Sequence, residues 1–322
     1  MSRSSTSVAM ATCNGGSFIA DQLASLAAQS RRPDQLVICD DASEDDTLEK
    51  IEVFRAQAPF EIRTEENPQR LGVTANFEKA ISLCDGEIIL LADQDDVWAP
   101  EKVERLVGSL ENHPEWGMAF CNGNVMDSEL VPLGYDLWQA LFFDLQEQNR
   151  VRTGEAPHVF MRHVVAAGNT LAFRSSYRSV LLPFPDLPSV HDAWVAFIIA
   201  CLSGCGILPE PLIRYRLHSD NLIGIHRFGW RDQIRQARRQ IEEDAFGQGA
   251  RFFEMARDRL EGQIPPDLES SIEEKILHSR TRSAMDERFF VRLPAIYTEW
   301  RTGRYRRCAY GLKSLAQDLW LR

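Results

Sequence analysis

The sequence predicts an α/β fold in which a mostly parallel sheet is flanked by helices, and three observations indicate it. Apolar runs of strand length alternate with segments of helical periodicity over about the first 125 of the 322 residues, a pattern typical of βαβ units. The apolar runs are short and continuous, which favours strands buried on both faces. Acidic residues follow two of these strands, at the edge where open α/β sheets bind their ligands.

Five strands and four helices are predicted in this region. The strands share a run of apolar residues bounded by turn-forming or acidic residues, and they cover 7–12, 35–39, 60–64, 88–92 and 116–125. The helices share apolar residues every three or four positions, and they begin near residues 19, 43–47, 73 and 100. Pro100 is expected at the first position of the fourth helix, because proline is favoured there.

The pattern is less regular after this region. Residues 164–173 are strand-like, 190–202 are helical, and 206–217 form a turn and a strand. From residue 226 onward the chain has helical periodicity almost throughout. We therefore expect an α/β domain over 1–225 and a helical region over 226–322.

Composition and charge exclude several classes of function. The net charge of −11 argues against a nucleic-acid-binding protein, which needs a basic surface. The charge is uneven, since residues 226–322 contain 19 Lys and Arg against 15 Asp and Glu. Seven scattered cysteines give no disulfide framework and favour a reducing cytosol. We expect no signal peptide and no transmembrane helix.

The fourth strand ends in a cluster of acids, Asp93, Asp95 and Asp96. Oxygen ligands at a strand end suit a hard divalent cation that holds phosphates, although acids here could also cap the next helix. Asp40 and Asp41 follow the second strand, and two neighbouring strand ends with acids could face one ligand. No glycine-rich nicotinamide or P-loop motif is present.

Seven short motifs occur in order along the first domain. They lie at 10–15, 38–47, 72–77, 93–100, 168–170, 191–194 and 215–221. Together they resemble the family 2, inverting nucleotide-sugar glycosyltransferases, and more narrowly the rhamnosyltransferase-like branch that builds bacterial surface polysaccharides. The resemblance implies a GT-A-type, Rossmann-like fold over roughly residues 7–225.

The resemblance also implies a nucleotide site. Asp41 would accept a hydrogen bond from the imide N–H of uracil or thymine, as an ionised acceptor makes the stronger bond. The alternative for Asp41, an acid at a helix N-terminus, is filled equally well by Asp45. The other residues implied in nucleotide-sugar binding are Thr12, Cys13, Asn14, Asn76 and Asp93. The family commonly has an aromatic residue at position 13, and Cys13 cannot stack on a base.

The metal and the catalytic base follow from the same motifs. Asp95 matches the family's metal-binding acid, and His218 matches a histidine that in some relatives reaches the metal or the diphosphate. Mn²⁺ or Mg²⁺ is the implied ion, and a histidine ligand would favour Mn²⁺. Asp192 matches the general base that takes the acceptor's proton. Structural alternatives are a packing histidine at 218 and helix caps at Asp192 and Asp96; we expect Asp96 to be a cap.

Five further residues are candidates for contact with the donor or acceptor sugar. They are Trp98, Gly168, Asn169, His191 and Trp194. Gly168 would let the backbone approach the sugar, because glycine has no side chain. The tryptophans could stack on a sugar face or fill the core.

The basic C-terminal end interleaves arginines with tyrosine, leucine and tryptophan. Six basic residues and one acid occur in the last 22 residues, a composition typical of an amphipathic helix at a membrane surface. Packing on the catalytic body or in a dimer is the alternative. The predicted location is the cytoplasm, in contact with the inner face of the cell membrane.

The predicted function is transfer of a hexose from a dTDP- or UDP-sugar, plausibly dTDP-rhamnose, to a saccharide or lipid-linked saccharide acceptor. Two other functions fit part of the sequence. A nucleotidyltransferase would need a basic loop after the first strand, and residues 14–17 contain neither Lys nor Arg. A non-catalytic nucleotide-sugar-binding protein would not need both Asp95 and Asp192.

Overall fold

The computed structural model describes residues 3–187, 191–218, 221 and 230–321. The chain divides into two compact units. The first unit comprises Met1–Gly154 and Val165–His226, and the second comprises Glu155–Val164 and Arg227–Arg322. The predicted domain boundary lies outside the described residues, and the segment Glu155–Val164 belongs to the second unit although the sequence analysis assigned it to the first domain.

The first unit is built on a sheet of nine strands within the described residues. They are β1 Thr6–Thr12, β2 Gln35–Asp40, β3 Glu61–Glu66, β4 Ile88–Asp93, β5 Val97–Trp98, β6 Trp116–Met126, β7 Pro132–Asp136, β8 Leu171–Arg174 and β9 Gly204–Arg216. Their order is β3-β2-β1-β4-β8-β6-β9-β5, with β7 paired to β6.

The sheet is mixed. Strands β1 to β4 are parallel, and β9 is parallel to β6. Strand β8 is antiparallel to both β4 and β6, and β5 and β7 also pair antiparallel. The predicted α/β class with flanking helices is confirmed. The share of parallel pairs is lower than expected because the regular alternation of strand and helix stops at β6.

Fifteen α-helices lie within the described residues. In chain order they are α1 Ile19–Ala27, α2 Thr47–Arg55, α3 Val73–Ser82, α4 Lys102–Asn112, α5 Leu137–Ala140, α6 Leu145–Arg150, α7 Ala156–Phe160, α8 Arg178–Leu181, α9 His191–Leu202, α10 Trp230–Glu242, α11 Ala245–Arg259, α12 Pro266–Ser283, α13 Phe289–Arg301, α14 Arg304–Cys308 and α15 Leu312–Trp320. In the first part of the strand predicted at 164–173, the structure has a 3₁₀ turn over Gly168–Thr170 instead. Helix α4 begins at Lys102 after Glu101, so Pro100 precedes the helix.

The core of the first unit lies on both faces of the central strands. Val8 and Met10 of β1, Val37 of β2, and Leu90 and Leu91 of β4 have no exposed surface. Such complete burial explains why these strands are continuously apolar instead of alternating.

The second unit is helical and has polar groups in its interior. Met285, Ile296 and Tyr305 form an apolar cluster, on which Leu315 and Leu319 pack. Among the described residues, its interior contains the ion pairs Arg282–Asp318 at 2.7 Å and Arg304–Glu299 at 2.8 Å, and a buried hydrogen bond of 2.6 Å between His278 Nδ1 and Glu299 Oε2.

The C-terminal end differs from the predicted single amphipathic helix. It forms two short helices, α14 and α15, and Tyr305 is only 3% exposed. Leu315 and Leu319 of α15 pack on the apolar cluster of the second unit, and Leu312 is 78% exposed. Within the described residues, no helix has both the length and the apolar character to cross a membrane.

Candidate active site

A cavity of about 540 Å³ opens at the carboxyl ends of the central strands of the first unit. Ten of the predicted site residues line it: Thr12, Cys13, Asp41, Asn76, Asp93, Asp95, Gly168, Asn169, His191 and Asp192. The structure therefore brings together most of the residues selected from the sequence. A larger groove of about 700 Å³ lies between α1 and α2 and contains none of these residues.

The acids of the site come from strand ends that are not adjacent. Asp41 follows β2 and Asp93 ends β4, and β1 lies between these strands. Ala11 of β1 is in register with Cys39 on one side and with Asp93 on the other. Since adjacent strands are about 4.8 Å apart, the two acids are separated by roughly 10 Å across the sheet. The cavity therefore suits an extended ligand better than a single ion.

Asp41 holds the loop that precedes α3. Its Oδ1 accepts hydrogen bonds from Asn67 Nδ2 at 3.0 Å and from the Leu71 N–H at 2.7 Å, and its Oδ2 accepts one from the Gly72 N–H at 2.9 Å. A carboxylate has about four acceptor positions, so Oδ2 retains one for a ligand. The alternative role of a helix-terminal acid belongs to Asp45, which accepts from the Thr47 N–H.

Two of the predicted nucleotide contacts have structural roles. Asn76 is 1% exposed, donates to the Cys39 carbonyl at 2.7 Å and accepts from Asn67 at 2.9 Å. Asn14 is not among the residues that line the cavity, and its Oδ1 accepts from the Glu44 N–H. Both side chains support the loops around the cavity.

Gln94 and Arg70 line the cavity but were missed as site residues. Gln94 bonds the backbone of Cys13 twice, since its Oε1 accepts from the Cys13 N–H and its Nε2 donates to the Cys13 carbonyl. These bonds tie β1 to the acidic loop, and Gln94 was overlooked because it lies between acids. Arg70 contributes a cation to the cavity wall near Cys13 and lies in a loop whose position the sequence did not specify.

Asp95 lies beside His218 and Asn221. Asp95 Oδ2 is 2.9 Å from His218 Nε2 and 3.1 Å from Asn221 Nδ2. The His218 ring is stacked on Phe18 at 4.3 Å, which fixes its orientation. The sequence analysis predicted the first two residues as metal ligands, and the structure brings them into contact.

This pair of side chains fits a divalent cation. Two atoms that occupy adjacent positions around an ion, each about 2.1 Å from it, are about 3 Å apart, close to the observed 2.9 Å. Among the described residues, no group of three or more His, Cys, Asp or Glu side chains converges on one point. A cation here would therefore need further oxygen ligands, which phosphates of a substrate commonly supply.

Asp96 does not cap a helix, which corrects the prediction. It has no exposed surface, and it accepts hydrogen bonds from Asn169 Nδ2 and from the Arg216 N–H. It cannot cap α4 because residues 97–98 form β5 before that helix begins. Burial, with Asp95 and Asp93 nearby, raises the pKa of Asp96 well above its usual range.

Arg216 fixes the backbone of the acidic loop. Its Nε donates to the Asp95 carbonyl at 3.0 Å, and its other nitrogens donate to the Ser128 carbonyl and to Asp21 Oδ2. Its side chain is 5% exposed, and the guanidinium lies 5.0 Å from the centroid of the Phe18 ring. Strand β9 thus holds Asp95 through Arg216, and His218, two residues beyond the strand, contacts Asp95 again.

Lys102 is a fully buried cation beneath the same loop. Its Nζ donates to the Asn169 carbonyl at 2.5 Å and lies 3.3 Å from the centroid of the Trp98 ring. Burial lowers the pKa of Lys102 to about 7, and burial together with Asp95 and Asp192 raises the pKa of Asp93 to about 7. Removing one partner of a buried pair of opposite charges is strongly destabilising, because it leaves an uncompensated buried charge.

Trp98 and Trp194 are buried and do not line the cavity, which agrees with the packing alternative for both. Trp98 is 3% exposed and packs under Lys102. Trp194 has no exposed surface, and its indole N–H donates to the Leu181 carbonyl at 3.0 Å. Both rings stabilise the elements around the cavity from behind.

Helix α9 carries His191 and Asp192 to the cavity in its first turn. The His191 ring is stacked on Phe77 of α3 at 4.2 Å. Asp192 Oδ1 accepts from the Ala193 N–H at 2.7 Å in the first turn of the helix. The residues before His191 lie outside the described part of the chain, so the predicted cap at this end is not described.

Gly168 contacts the same turn of α9 closely. A Cβ atom at this position would lie 3.1 Å from His191 Nε2 and 3.4 Å from Asp192 Cβ. Glycine therefore permits the approach of the 3₁₀ turn to the first residues of α9. Two buried polar atoms at this place, Asn169 Oδ1 and His191 Nδ1, have no hydrogen-bond partner among the described residues.

We expect Gly168→Ala to lower kcat about 10-fold with little change in donor binding. The added methyl group would push His191 and Asp192 by a few tenths of an ångström, and a misplacement of 1 Å costs about 100-fold. Steady-state kinetics and donor titration measure the two effects. Gly108→Ala in α4 is the matched control, because a Cβ there meets nothing within 4 Å. Equal kinetics for the two variants would contradict the role of Gly168.

The fold and the site together define an α/β protein that has acids at the carboxyl edge of its sheet and a cavity that suits an extended ligand. The glycosyl transferase family 2 model matches residues 7–155. The dTDP-rhamnosyl transferase RfbG of Shigella flexneri is 31% identical over 222 residues, which cover 67% of this chain and 73% of RfbG. The chain belongs to glycosyl transferase family 2.

Two further similarities concern a shorter match and the fold. An uncharacterised protein of Mycobacterium tuberculosis is 33% identical over 137 residues, and the match spans only 40% of each chain. The mannosyltransferase PcManGT of Pyrobaculum calidifontis, solved with GDP-Man and Mn²⁺, superposes with a TM-score of 0.58 at 18% identity. The superposition covers all of this chain and 86% of PcManGT, and it confirms a GT-A-like fold.

Proposed function

We propose that the protein is an inverting, metal-dependent glycosyltransferase that takes a hexose from a nucleoside-diphosphate sugar. The observation that carries the proposal is that Asp41, Asp95 and Asp192 line one cavity. A nucleotide sugar is an extended ligand with a base, a diphosphate and a sugar. We assign one carboxylate to each part, Asp41 to the base, Asp95 to the diphosphate and Asp192 to the reacting sugar.

The base is bound near Asp41. The remaining acceptor position on Asp41 Oδ2 receives the imide N–H of uracil or thymine. Cys13 and Thr12 line the cavity beside Asp41. Since a thiol cannot stack as an aromatic ring does, the hydrogen bond to Asp41 contributes the larger share of base selectivity.

The diphosphate is bound near Asp95 and His218. The contact between these side chains, 2.9 Å, suits Mn²⁺ or Mg²⁺, and a histidine ligand favours Mn²⁺. When bound, such an ion would neutralise charge on the leaving diphosphate. Arg216 keeps Asp95 in place through the Asp95 carbonyl.

The sugar lies between Asp93 and the first turn of α9. The partnerless Asn169 Oδ1 and His191 Nδ1 are suited to hydroxyl groups of a sugar, because buried polar atoms otherwise cost about 1–3 kcal/mol each. Burial lowers the pKa of His191, which keeps the imidazole neutral and able to both donate and accept.

Asp192 acts as the general base. The acceptor hydroxyl attacks the anomeric carbon opposite the leaving group, a C–O bond forms, and the bond from that carbon to the phosphate oxygen breaks. Asp192 takes the hydroxyl proton, and the electron pair of the broken bond leaves with the nucleoside diphosphate. A positioned base contributes about 10²–10⁴-fold to the rate.

We further propose dTDP-rhamnose as the donor and a saccharide or lipid-linked saccharide as the acceptor, at the cytoplasmic face of the membrane. The donor proposal is supported by the similarity to RfbG, a dTDP-rhamnosyl transferase. The acceptor and the location follow from the resemblance to enzymes of surface polysaccharide synthesis.

The test is the shift in Tm with dTDP-rhamnose, UDP-glucose and GDP-mannose, each with and without Mn²⁺. A ligand at 100 times its Kd stabilises the native state by about 2.7 kcal/mol. We expect the largest shift with dTDP-rhamnose and Mn²⁺, and little shift without the ion. Stabilisation by GDP-mannose alone would overturn the donor class. Binding without transfer to any acceptor would favour a non-catalytic nucleotide-sugar-binding protein.

A further inference from the structure

We propose that the exposed aromatic face of α13 binds the interface of an anionic lipid bilayer. The aromatic face is defined as Phe290, Tyr297 and Trp300, with Pro294 between them. This proposal deepens the proposed function by assigning the membrane contact to a surface outside the C-terminal tail. It is tested below by measurements that are independent of sugar transfer.

The aromatic face is unusually exposed for residues of this size. Phe290 is 82% exposed, Tyr297 57% and Trp300 56%. Residues 290, 294 and 297 are spaced by four and three positions, so they lie along one side of the helix. The rings of Tyr297 and Trp300 are 6.1 Å apart, which makes the surface continuous.

The opposite side of α13 fixes the helix in the second unit. Arg292, Ile296 and Glu299 are between 1% and 4% exposed. Ile296 belongs to the apolar cluster of that unit, and Arg292 donates to the Asp318 and Leu319 carbonyls. The aromatic face is therefore exposed because the other side of the helix packs inward.

Two exposed arginines follow the aromatic face along the chain. Arg301 continues the line of residues 290, 294 and 297, and Arg306 follows in α14; both are exposed, and no ion pair holds either within the described residues. Two acids of this unit, Glu299 and Asp318, are 1% exposed and fully buried, and Glu287, before the start of α13, is exposed. Basic residues near an anionic membrane surface strengthen binding through electrostatic attraction.

Charge and composition favour a bilayer over a second copy of the chain. In a two-fold dimer the same surface meets itself, so the basic charge of Arg301 and Arg306 would be doubled at the interface. Tyrosine and tryptophan are enriched where membrane meets water, because each ring has an apolar body and a polar group. A helix that lies flat with aromatic residues on one side and arginines at its edge is typical of such binding.

The test is flotation of the full chain with vesicles of phosphatidylcholine and phosphatidylglycerol. The triple variant Phe290→Ser, Tyr297→Ser, Trp300→Ser should reduce the bound fraction at least 10-fold. The double variant Arg301→Glu, Arg306→Glu should reduce it on anionic vesicles. The matched control is the double variant Val53→Ser, Leu145→Ser. It replaces two apolar residues of the first unit that are 64% and 73% exposed.

Four results would overturn the proposal. These are equal flotation of the triple variant and the wild type, equal binding of the wild type to vesicles of phosphatidylcholine alone, loss of binding in the control variant, and light scattering that shows a dimer which the triple variant converts to a monomer. The Tm shift with dTDP-rhamnose and Mn²⁺ should be the same in all variants, which shows that they fold. If the proposed function fails, that shift is absent while flotation remains.

Discussion

Asp192→Asn should reduce transfer by about 10²–10⁴-fold, the usual contribution of a positioned general base, and leave donor affinity almost unchanged. The amide has nearly the shape of the carboxylate and can still accept from the Ala193 N–H, but it cannot take a proton from the acceptor hydroxyl. Rates of transfer and a donor titration by calorimetry separate the two effects.

Glu52→Gln is the control for this variant. It also replaces a carboxylate by an amide, but Glu52 is exposed on α2 and pairs with Arg55. Its kinetics should match those of the wild type. If Asp192→Asn weakens donor binding as strongly as it lowers kcat, the residue binds the donor and the assignment of the base is wrong.

Asp95→Ala should remove Mn²⁺ binding together with activity. The variant leaves His218 and Asn221 without the carboxylate that they contact. Loss of an outer-shell partner of a metal ligand costs about 10–100-fold in affinity, so loss of a ligand itself should cost more. Mn²⁺ binding can be followed by electron paramagnetic resonance in the presence of dTDP, without any turnover.

His218→Ala should show a smaller loss in the same titration, and Glu129→Ala should show none, because Glu129 is exposed in the turn after β6. An Asp95→Ala protein that binds Mn²⁺ like the wild type, or that is fully active in chelator, would exclude Asp95 as a ligand. A Tm below that of the wild type, measured without metal and nucleotide, would show that the variant damages folding instead.

The central half of the sheet could be predicted because burial determines its sequence. Strands β1, β2 and β4 are covered on both faces, so their residues are continuously apolar and their ends are marked by polar residues. Because the strand ends are recognisable in the sequence, the acids that follow them could be selected as residues of the cavity. Strand β8 was harder because it is only four residues long, and its antiparallel direction depends on pairing with β4 and β6.

The support behind the site could not be predicted, because it depends on distant parts of the chain. Asp96 resembles its acidic neighbours in sequence, yet Asn169 and Arg216, which are 73 and 120 residues away, bury it. Lys102 looks like a surface residue of α4 until Asn169 and Trp98 enclose it. Periodicity predicted a helix with an apolar side near the C-terminus. It could not predict whether that side packs on the protein or faces the solvent.

Because β9 comes late in the sequence, the sheet can be completed only late in synthesis. Asp95 and Asp96 leave the ribosome long before Arg216 and His218, which follow them by 120 residues or more. The earlier βα segments can pair locally, but their acidic loop repels itself until β9 joins β6 and β5. We therefore expect nascent chains that stop before residue 216 to remain open to proteases, because they lack the last strand of the sheet.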